Sequence, residues 1–544
     1  MAQVEQWGTR VGLVLAMAGN AVGLGNFLRF PAQAAQNGGG AFLLPYLVSF
    51  LLMGIPLLWV EWAVGRHGGQ FGHHSAPGMF DKMGPYPWLK YVGVFGLFTT
   101  LGIAAYYVYI ESWALAYVFH SLFGTFREIA PTTFFNQFVG TDSAGIFYFP
   151  GEALFWFLAT LGLNLFILSR GLAKGIELAA KIGLPLLILF AVILVIRGLT
   201  LTGNSPGVVQ SPLDGLNFVW EPNPAGLANL NTWLAAAGQV FFTLSLGMGS
   251  IHCYAAYLRR DEDIAVNAMA AGWTNEFIEV VLGSALLIPI ATAYLGLETV
   301  KAATGGGSGF GLAFLSLPTL FNNWGWFAPL AGAFWFGLLF FAGITSSLAM
   351  GQPAIAFLED EFGWARKKAA IGFGICTLLL SLVCILLFPG GAFDEFDFWT
   401  GTFALVVFAL CEAIIFAWIF GMDRAWEEIT RGADMKVPRL FRFVIRYVTP
   451  SFLLVVFLGS LINPEGGDWR AAFHSLLSGN GWPLAASSVA GKLLHVGSDY
   501  RWFDAAGNPT KDLVADGTRL LLMLVFLGIA FLVYKAWKKK GVSR

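Results

Sequence analysis

Asn20-Ala21-Val22-Gly23-Leu24-Gly25-Asn26 sits at the centre of an apolar run covering residues 10–36. The run is long enough to cross ~30 Å of hydrocarbon as a helix, yet its middle carries two glycines between two asparagines. A glycine inside a helix costs about 1 kcal/mol relative to alanine, so the cluster reads as a place where the helix opens. Opening frees carbonyls at the end of the first half and N–H groups at the start of the second. The carbonyls suit a hard cation. The N–H groups, with the half-helix dipole behind them, suit a carboxylate. The competing reading is that the glycines only permit close helix packing. Polar flanks and a matching second break favour the opening.

That second break is Ser245-Leu246-Gly247-Met248-Gly249, in an apolar run at 229–257. Hydropathy places spans at 10–36, 40–65, 88–122, 152–170, 176–199, 229–257, 263–297, 325–358, 367–388, 398–421, 438–462 and 518–537. The breaks are five spans apart, so spans 1–5 (10–199) and 6–10 (229–422) are expected as repeats of opposite topology. Residues 1–9 then form an N-terminal arm, and 438–544 two added helices with a long loop at 463–517. Paired interruptions of this kind mark the binding site of secondary transporters.

Composition supports the bilayer. Hydrophobic residues make up 57% of the 544 and charged ones 12%, about half the charged share of a soluble domain. In lipid the backbone must satisfy its own hydrogen bonds. The short alternating segments of a membrane barrel are absent, so an all-α membrane protein with twelve transmembrane helices is expected. Basic residues collect after the even-numbered spans and at the tail, for example Arg259 with Arg260, Arg366 to Lys368, and Lys538 to Lys540. Both termini are therefore expected in the cytoplasm. The N-terminus lacks the pattern of a cleaved leader, so the first segment is expected to stay as a helix. No basic run suggests nucleic acid. Cys253, Cys376, Cys384 and Cys411 make no zinc spacing and read as small buried hydrophobes. The glycine run 305–311 lacks the ending of a phosphate loop, so no nucleotide is expected. His67, His73 and His74 read as interfacial loop residues rather than a metal site. Loop 463–517 reads as a cap, a partner surface or a passive excursion, the last being favoured.

The runs GNAVGLGNFLRFP (19–31), NGGGAFLLPY (37–46), GQVFFTLSLGMG (238–249), FFAGITSSLAMGQP (340–353), FLEDE (357–361), DFWTGT (397–402) and AWEEI (425–429) resemble the neurotransmitter:sodium symporter family, its bacterial amino-acid transporters most of all. The resemblance spans 7–462, fades through 463–517 and returns over the last helix. It implies a LeuT-like fold in a bacterial inner (plasma) membrane, a sodium-driven symporter of hydrophobic L-amino acids, and no enzymatic chemistry.

Laid on this sequence, the resemblance implies two sodium ions. One is held by the Ala21 carbonyl, Asn26, Asn275, Thr243 and the substrate carboxylate; the other by carbonyls of Gly19, Val22 and Ala342 with the hydroxyls of Thr345 and Ser346. The substrate carboxylate would meet N–H groups of Leu24 and Gly25 and the Tyr107 hydroxyl. Its ammonium would meet carbonyls of Ala21, Phe242, Thr243 and Ser245. Asn20, Ile103, Tyr107, Phe242, Ser245, Met248, Ser346 and Met350 would surround the side chain. Amine carriers place an aspartate where this chain has Gly23, so an amino acid is favoured. Adaptable methionines at 248 and 350 suggest aromatic as well as aliphatic substrates.

Glu279 stands where chloride-dependent members have serine, near Tyr46, Gln239 and Thr243. The implied transport needs no chloride, and the same carboxylate offers a place for a returning proton. Arg29 with Asp397 would gate the outside; Trp7, Tyr257, Gln352 and Asp360 the inside. The arginine expected to pair with Asp360 is missing from Gln3-Val4-Glu5-Gln6, leaving Arg10, another base, or a weaker gate. Glu61 and Glu111 read as structural. The alternatives are an amino-acid sensor with little flux, a channel, or a symporter for another solute. Oligomeric state is not legible.

Overall fold

The computed structural model describes residues 5–143, 145–304, 309–539 and 541. The glycines at 305–307, Ser308, Lys540 and Gln3-Val4 lie outside them. Among the described residues the chain is helical throughout, with only isolated bridges pairing Pro464 with Leu484 and Phe503 with Pro509. Ten of its helices are long and apolar enough to cross a membrane. The two broken segments are not among them because neither half is long enough: Arg10–Ala21 precedes Leu24–Phe27 and Arg29–Gln36, and Leu230–Leu244 precedes Ser250–Ala255.

Burial separates an inner from an outer set. In the most apolar stretch of Leu89–Leu122, 89% of residues are buried, and 83% in Ile264–Leu295; for Leu440–Ile462 and Lys511–Lys539 the figure is 28%. The outer helices show apolar surface such as Leu458, Leu524 and Phe531, as lipid-facing helices must. The inner ones surround the broken segments. Helix Arg10–Ala21 starts at Thr9, whose hydroxyl accepts the Gly12 N–H. Glu177 pins this start by accepting the N–H of Gly8 at 2.7 Å and the Thr9 hydroxyl at 2.9 Å. A side chain at Gly12 would strike that carboxylate at 1.9 Å.

Three expectations shift. The last helix begins at Lys511 rather than near 518. Hydropathy skips its first turns because they are charged, but Arg519 and Asp516 have partners: Arg519 Nε donates to Glu395 (2.7 Å), and Tyr500 and Trp502 donate to Asp516 (2.8 and 2.9 Å). The 463–517 loop is not a bare excursion. It carries helices Trp469–Leu477 and Val489–Leu493, capped by Asp468 and Ser488, and Lys492 reaches Glu395 at 2.9 Å. Among the cysteines no disulfide forms; Cys253 and Cys384 are buried, but Cys376 is exposed.

Candidate functional site

The first segment opens between Ala21 and Leu24. Val22 is extended (φ −72°, ψ 97°), as is Gly23 (φ −124°). Any residue adopts such backbone, so these glycines provide room rather than backbone freedom. A Cβ on Gly23 would lie 2.8 Å from the Tyr107 hydroxyl and 3.0 Å from Ser346 Oγ; on Gly25 it would meet the Phe242 ring at 2.5 Å. The helix opens, and its glycines also pack closely. The freed donors are held by side chains: the Gly23 N–H donates to Asn26 Oδ1 (2.9 Å) and the Leu24 N–H to the Tyr107 hydroxyl (3.1 Å).

The sixth segment opens by a different backbone route. Ser245 is left-handed (φ 56°), and Gly247 and Gly249 follow at φ 68° and 84°. Ser245 Oγ donates to the Asn20 carbonyl at 2.9 Å, joining the two breaks. A small cavity lies between them, lined by Ala21, Gly23, Gly25, Ile103, Tyr107, Phe242, Thr243, Ser245, Met248, Ser346 and Met350, with Asn26 besides. Two expected pocket residues stand outside it. The Asn20 side chain accepts from Ser250 Oγ (3.2 Å), and Leu24 lines the next cavity outward.

Both oxygen sets expected for sodium converge. Asn26 Nδ2 donates to Asn275 Oδ1 (2.8 Å), Asn275 Nδ2 donates to Thr243 Oγ1 (3.0 Å), and Ala21 lines the same cavity. In the other set, Ser346 Oγ lies 3.3 Å from the Gly19 carbonyl and 3.5 Å from that of Val22. Thr345 Oγ1 lies 3.2 Å from the Ala342 carbonyl and donates to Phe341 at 3.0 Å. Back-bonding of this kind uses the hydroxyl proton and leaves the oxygen lone pairs for a cation.

Glu279 sits on the π-helical turn Phe277–Gly283, the kind of irregularity that gathers at functional sites. It accepts the Thr243 hydroxyl, Asn26 Nδ2 (3.2 Å) and Gln239 Nε2 (2.6 Å). Tyr46 donates to Glu276 at 3.0 Å and also lies against Glu279. The sequence reading passed over Glu276. Its signal was a second carboxylate three residues from Glu279, hence on the same helix face, inside an apolar span.

On the side expected to face outward, Arg29 and Asp397 line one cavity of about 260 Å³ together with Tyr107 and Phe242. Among the described residues they make no direct ion pair within 4.0 Å; the guanidinium lies over the Phe242 ring, 4.7 Å from its centroid. At the inner side Trp7 Nε1 donates to the Tyr254 carbonyl (3.1 Å). Gln352 donates to the Tyr257 hydroxyl (3.1 Å) and accepts from Arg366 (2.5 Å). Asp360 accepts the His74 N–H at 2.6 Å, and its other oxygen lies 3.2 Å from Nδ1 of that ring, which stacks on Tyr257. His74, read from sequence as a loop residue, is thus the partner that the missing arginine left open. Arg10 turns away, to Asn267, Asp263 and Asp434. Glu111 accepts from Asn164 at 3.1 Å.

The chain matches the family described as the sodium:neurotransmitter symporter family over residues 4–136 and 125–496. An uncharacterized sodium-dependent transporter of Methanocaldococcus jannaschii is 32% identical over 84% of this chain and 90% of its own length. Sodium-dependent nutrient amino acid transporter 1 of Drosophila melanogaster is 26% identical, covering 90% of this chain and 82% of that protein. The crystal structure of MhsT in complex with L-phenylalanine superposes with a TM-score of 0.70 at 31% identity, over 84% of this chain and 99% of that one. On this evidence the protein is a multi-pass membrane protein and a member of the sodium:neurotransmitter symporter family.

Proposed function

We propose that the protein is a sodium-coupled, chloride-independent symporter of hydrophobic L-amino acids, aliphatic and aromatic, working by alternating access in a bacterial inner membrane with both termini cytoplasmic. With the two broken segments the chain makes twelve crossings: two inverted five-helix repeats, followed by two added helices. The observation that carries this reading is the cavity between the breaks. Tyr107, which accepts the Leu24 N–H, lines it and could meet a carboxylate, and Ile103, Phe242, Met248 and Met350 surround the space. Gly23 leaves no space for an added side chain beside Tyr107, which supports a substrate that brings its own carboxylate. The structural relative solved with L-phenylalanine supports an aromatic side chain.

The residues that would hold sodium are those already named: Ala21, Asn26, Thr243 and Asn275 for one ion, and Gly19, Val22, Ala342, Thr345 and Ser346 for the other. All offer oxygen, as a hard cation requires. Glu279 supports chloride independence because its carboxylate supplies a fixed negative charge against Thr243 and Asn26. It also supports proton counter-transport, since a carboxylate left facing an empty cation site is a place for a proton. Uptake of labelled phenylalanine and leucine into proteoliposomes tests the reading. Accumulation should require sodium, survive replacement of chloride by gluconate, and be inhibited by aliphatic and aromatic amino acids. Binding without accumulation would make the protein a sensor, and competition by glycine and alanine alone would refute the substrate class.

A further inference from the structure

Glu61, His252 and Glu412 meet behind the break in the sixth segment, away from both the substrate cavity and Glu279. His252 belongs to Ser250–Ala255, the half-helix that follows the break. Its Nδ1 lies 3.4 Å from Glu61 Oε2 and its Nε2 lies 3.1 Å from Glu412 Oε2; all three side chains are 0% exposed. Glu61 comes from Ile55–Gly69 and Glu412 from Ala404–Ile414. Beyond these mutual contacts, Glu61 Oε2, both ring nitrogens and both Glu412 oxygens have no hydrogen-bond partner. Phe80 and Phe408 cover the ring.

Among the described residues no lysine or arginine forms an ion pair with the two carboxylates. The charged groups facing His252 are Glu61 and Glu412, with Cys411 beside the latter. Helix Ala328–Phe362 is also packed here; its Glu359 and Asp360, like Arg366 beyond it, act on Cys253 but not on His252. Two carboxylates and a neutral imidazole would leave two uncompensated charges in a dry interior, which is costly. Neutrality needs two protons shared among three sites. The three groups also lie close enough to ligate a metal ion. An ion, however, would take one ring nitrogen, whereas here each nitrogen faces a different carboxylate. The two carboxyls also interact directly, and carboxyl–imidazole–carboxyl contacts of this form can pass a proton.

The cluster is fastened to the break. Glu61 Oε1 accepts the Gly247 N–H at 2.7 Å, and the next residue, Met248, lines the substrate cavity. We propose that Glu61, His252 and Glu412 form a proton-binding relay that couples protonation to the geometry of the sixth-segment break. The proposal rests on the symport reading and adds a second, separate place where protons enter the cycle. In the relay step, which follows loss of one of the two protons from Glu412, the Glu61 Oε2–H bond breaks as Nδ1–H forms, and Nε2–H breaks as Glu412 Oε2–H forms. One proton moves from Glu61 to Glu412, and the imidazole ends neutral with its proton on the other nitrogen. Glu61 is then ionised, and a charged acceptor holds the Gly247 N–H roughly twice as strongly as a neutral one.

The test uses full-length protein in proteoliposomes, with labelled phenylalanine uptake and a trapped pH dye read together. His252→Gln keeps the ring's volume but cannot pass a proton. It should retain sodium-dependent binding of phenylalanine, lower substrate-coupled proton movement to the share that Glu279 carries, and flatten the pH profile of uptake; Glu412→Gln should do the same. Intact proton movement and an unchanged pH profile in both variants would overturn the relay. So would proton movement abolished by Glu279→Gln alone, which assigns the proton to that carboxylate. Stoichiometric zinc in purified protein, with uptake altered by a chelator, would replace the relay by a metal site. Absence of sodium-dependent uptake in the wild type would instead defeat the symport reading. Should His252→Gln not fold, infrared difference spectra of the wild type decide. A protonated-carboxyl band that shifts on adding sodium and phenylalanine, and that Glu412→Gln removes, is expected; a band insensitive to that substitution overturns the relay.

Discussion

The two broken segments solve one problem with different physics. In the first, the backbone at Val22 and Gly23 stays in extended conformations open to any residue, and the glycines matter because Tyr107, Ser346 and Phe242 lie against them. In the sixth, Ser245, Gly247 and Gly249 are all left-handed, so here the glycines supply backbone freedom. The freed donors also differ. Neutral side chains, Asn26 and Tyr107, hold those of the first break, whereas a buried carboxylate, Glu61, holds that of the sixth. Neutral partners exchange easily with a ligand, while a carboxylate fixes the turn. The first break is built to receive, and the sixth to be set.

Substitutions test this contrast, beginning with the largest effect. Gly247→Val puts a β-branched residue at a left-handed position with its Cβ 2.3 Å from the Leu405 carbonyl. It should cost about 3 kcal/mol or more and lose folded protein on size-exclusion in detergent. Gly23→Ala meets only side-chain ends, so it should fold with a melting temperature near the wild type's but bind amino acid weakly. Equal loss of fold in both would erase the distinction. Next, Glu61→Gln should lower stability by about 2 kcal/mol through the lost charged acceptor, and Tyr107→Phe by about 1 kcal/mol, both read by thermal melting. Only Tyr107→Phe should also weaken phenylalanine binding directly. At the inner gate, His74→Ala should cost about 1 kcal/mol or less through its partly buried pair with Asp360, read as increased cysteine accessibility at Cys253 from the inside. The smallest change is Met248→Phe with Met350→Ile, which narrows the pocket. Competition by aromatic amino acids should fall by about 1 kcal/mol relative to leucine; an unchanged ranking would mean that the methionines do not set the range.

Much of this was legible in the chain itself. Membrane helices show in hydropathy because the bilayer imposes a length and a composition that no soluble contact imposes. The breaks show because glycine in a long apolar helix is unfavourable unless needed. The ordered motifs at 19–31, 238–249 and 340–353 carry most of the residues that line the cavity. Folding decided what depends on partners far apart in sequence. That His74 meets Asp360, that Tyr46 meets Glu276, and that His252 bridges Glu61 and Glu412 follows from segments brought together across sequence separations of 160 to 286 positions. A lone histidine in an apolar segment carries no mark of which carboxylate it will face, because its partners are set by the packing angle of neighbouring helices. Local chemistry opened the two segments; tertiary packing chose what each opening holds.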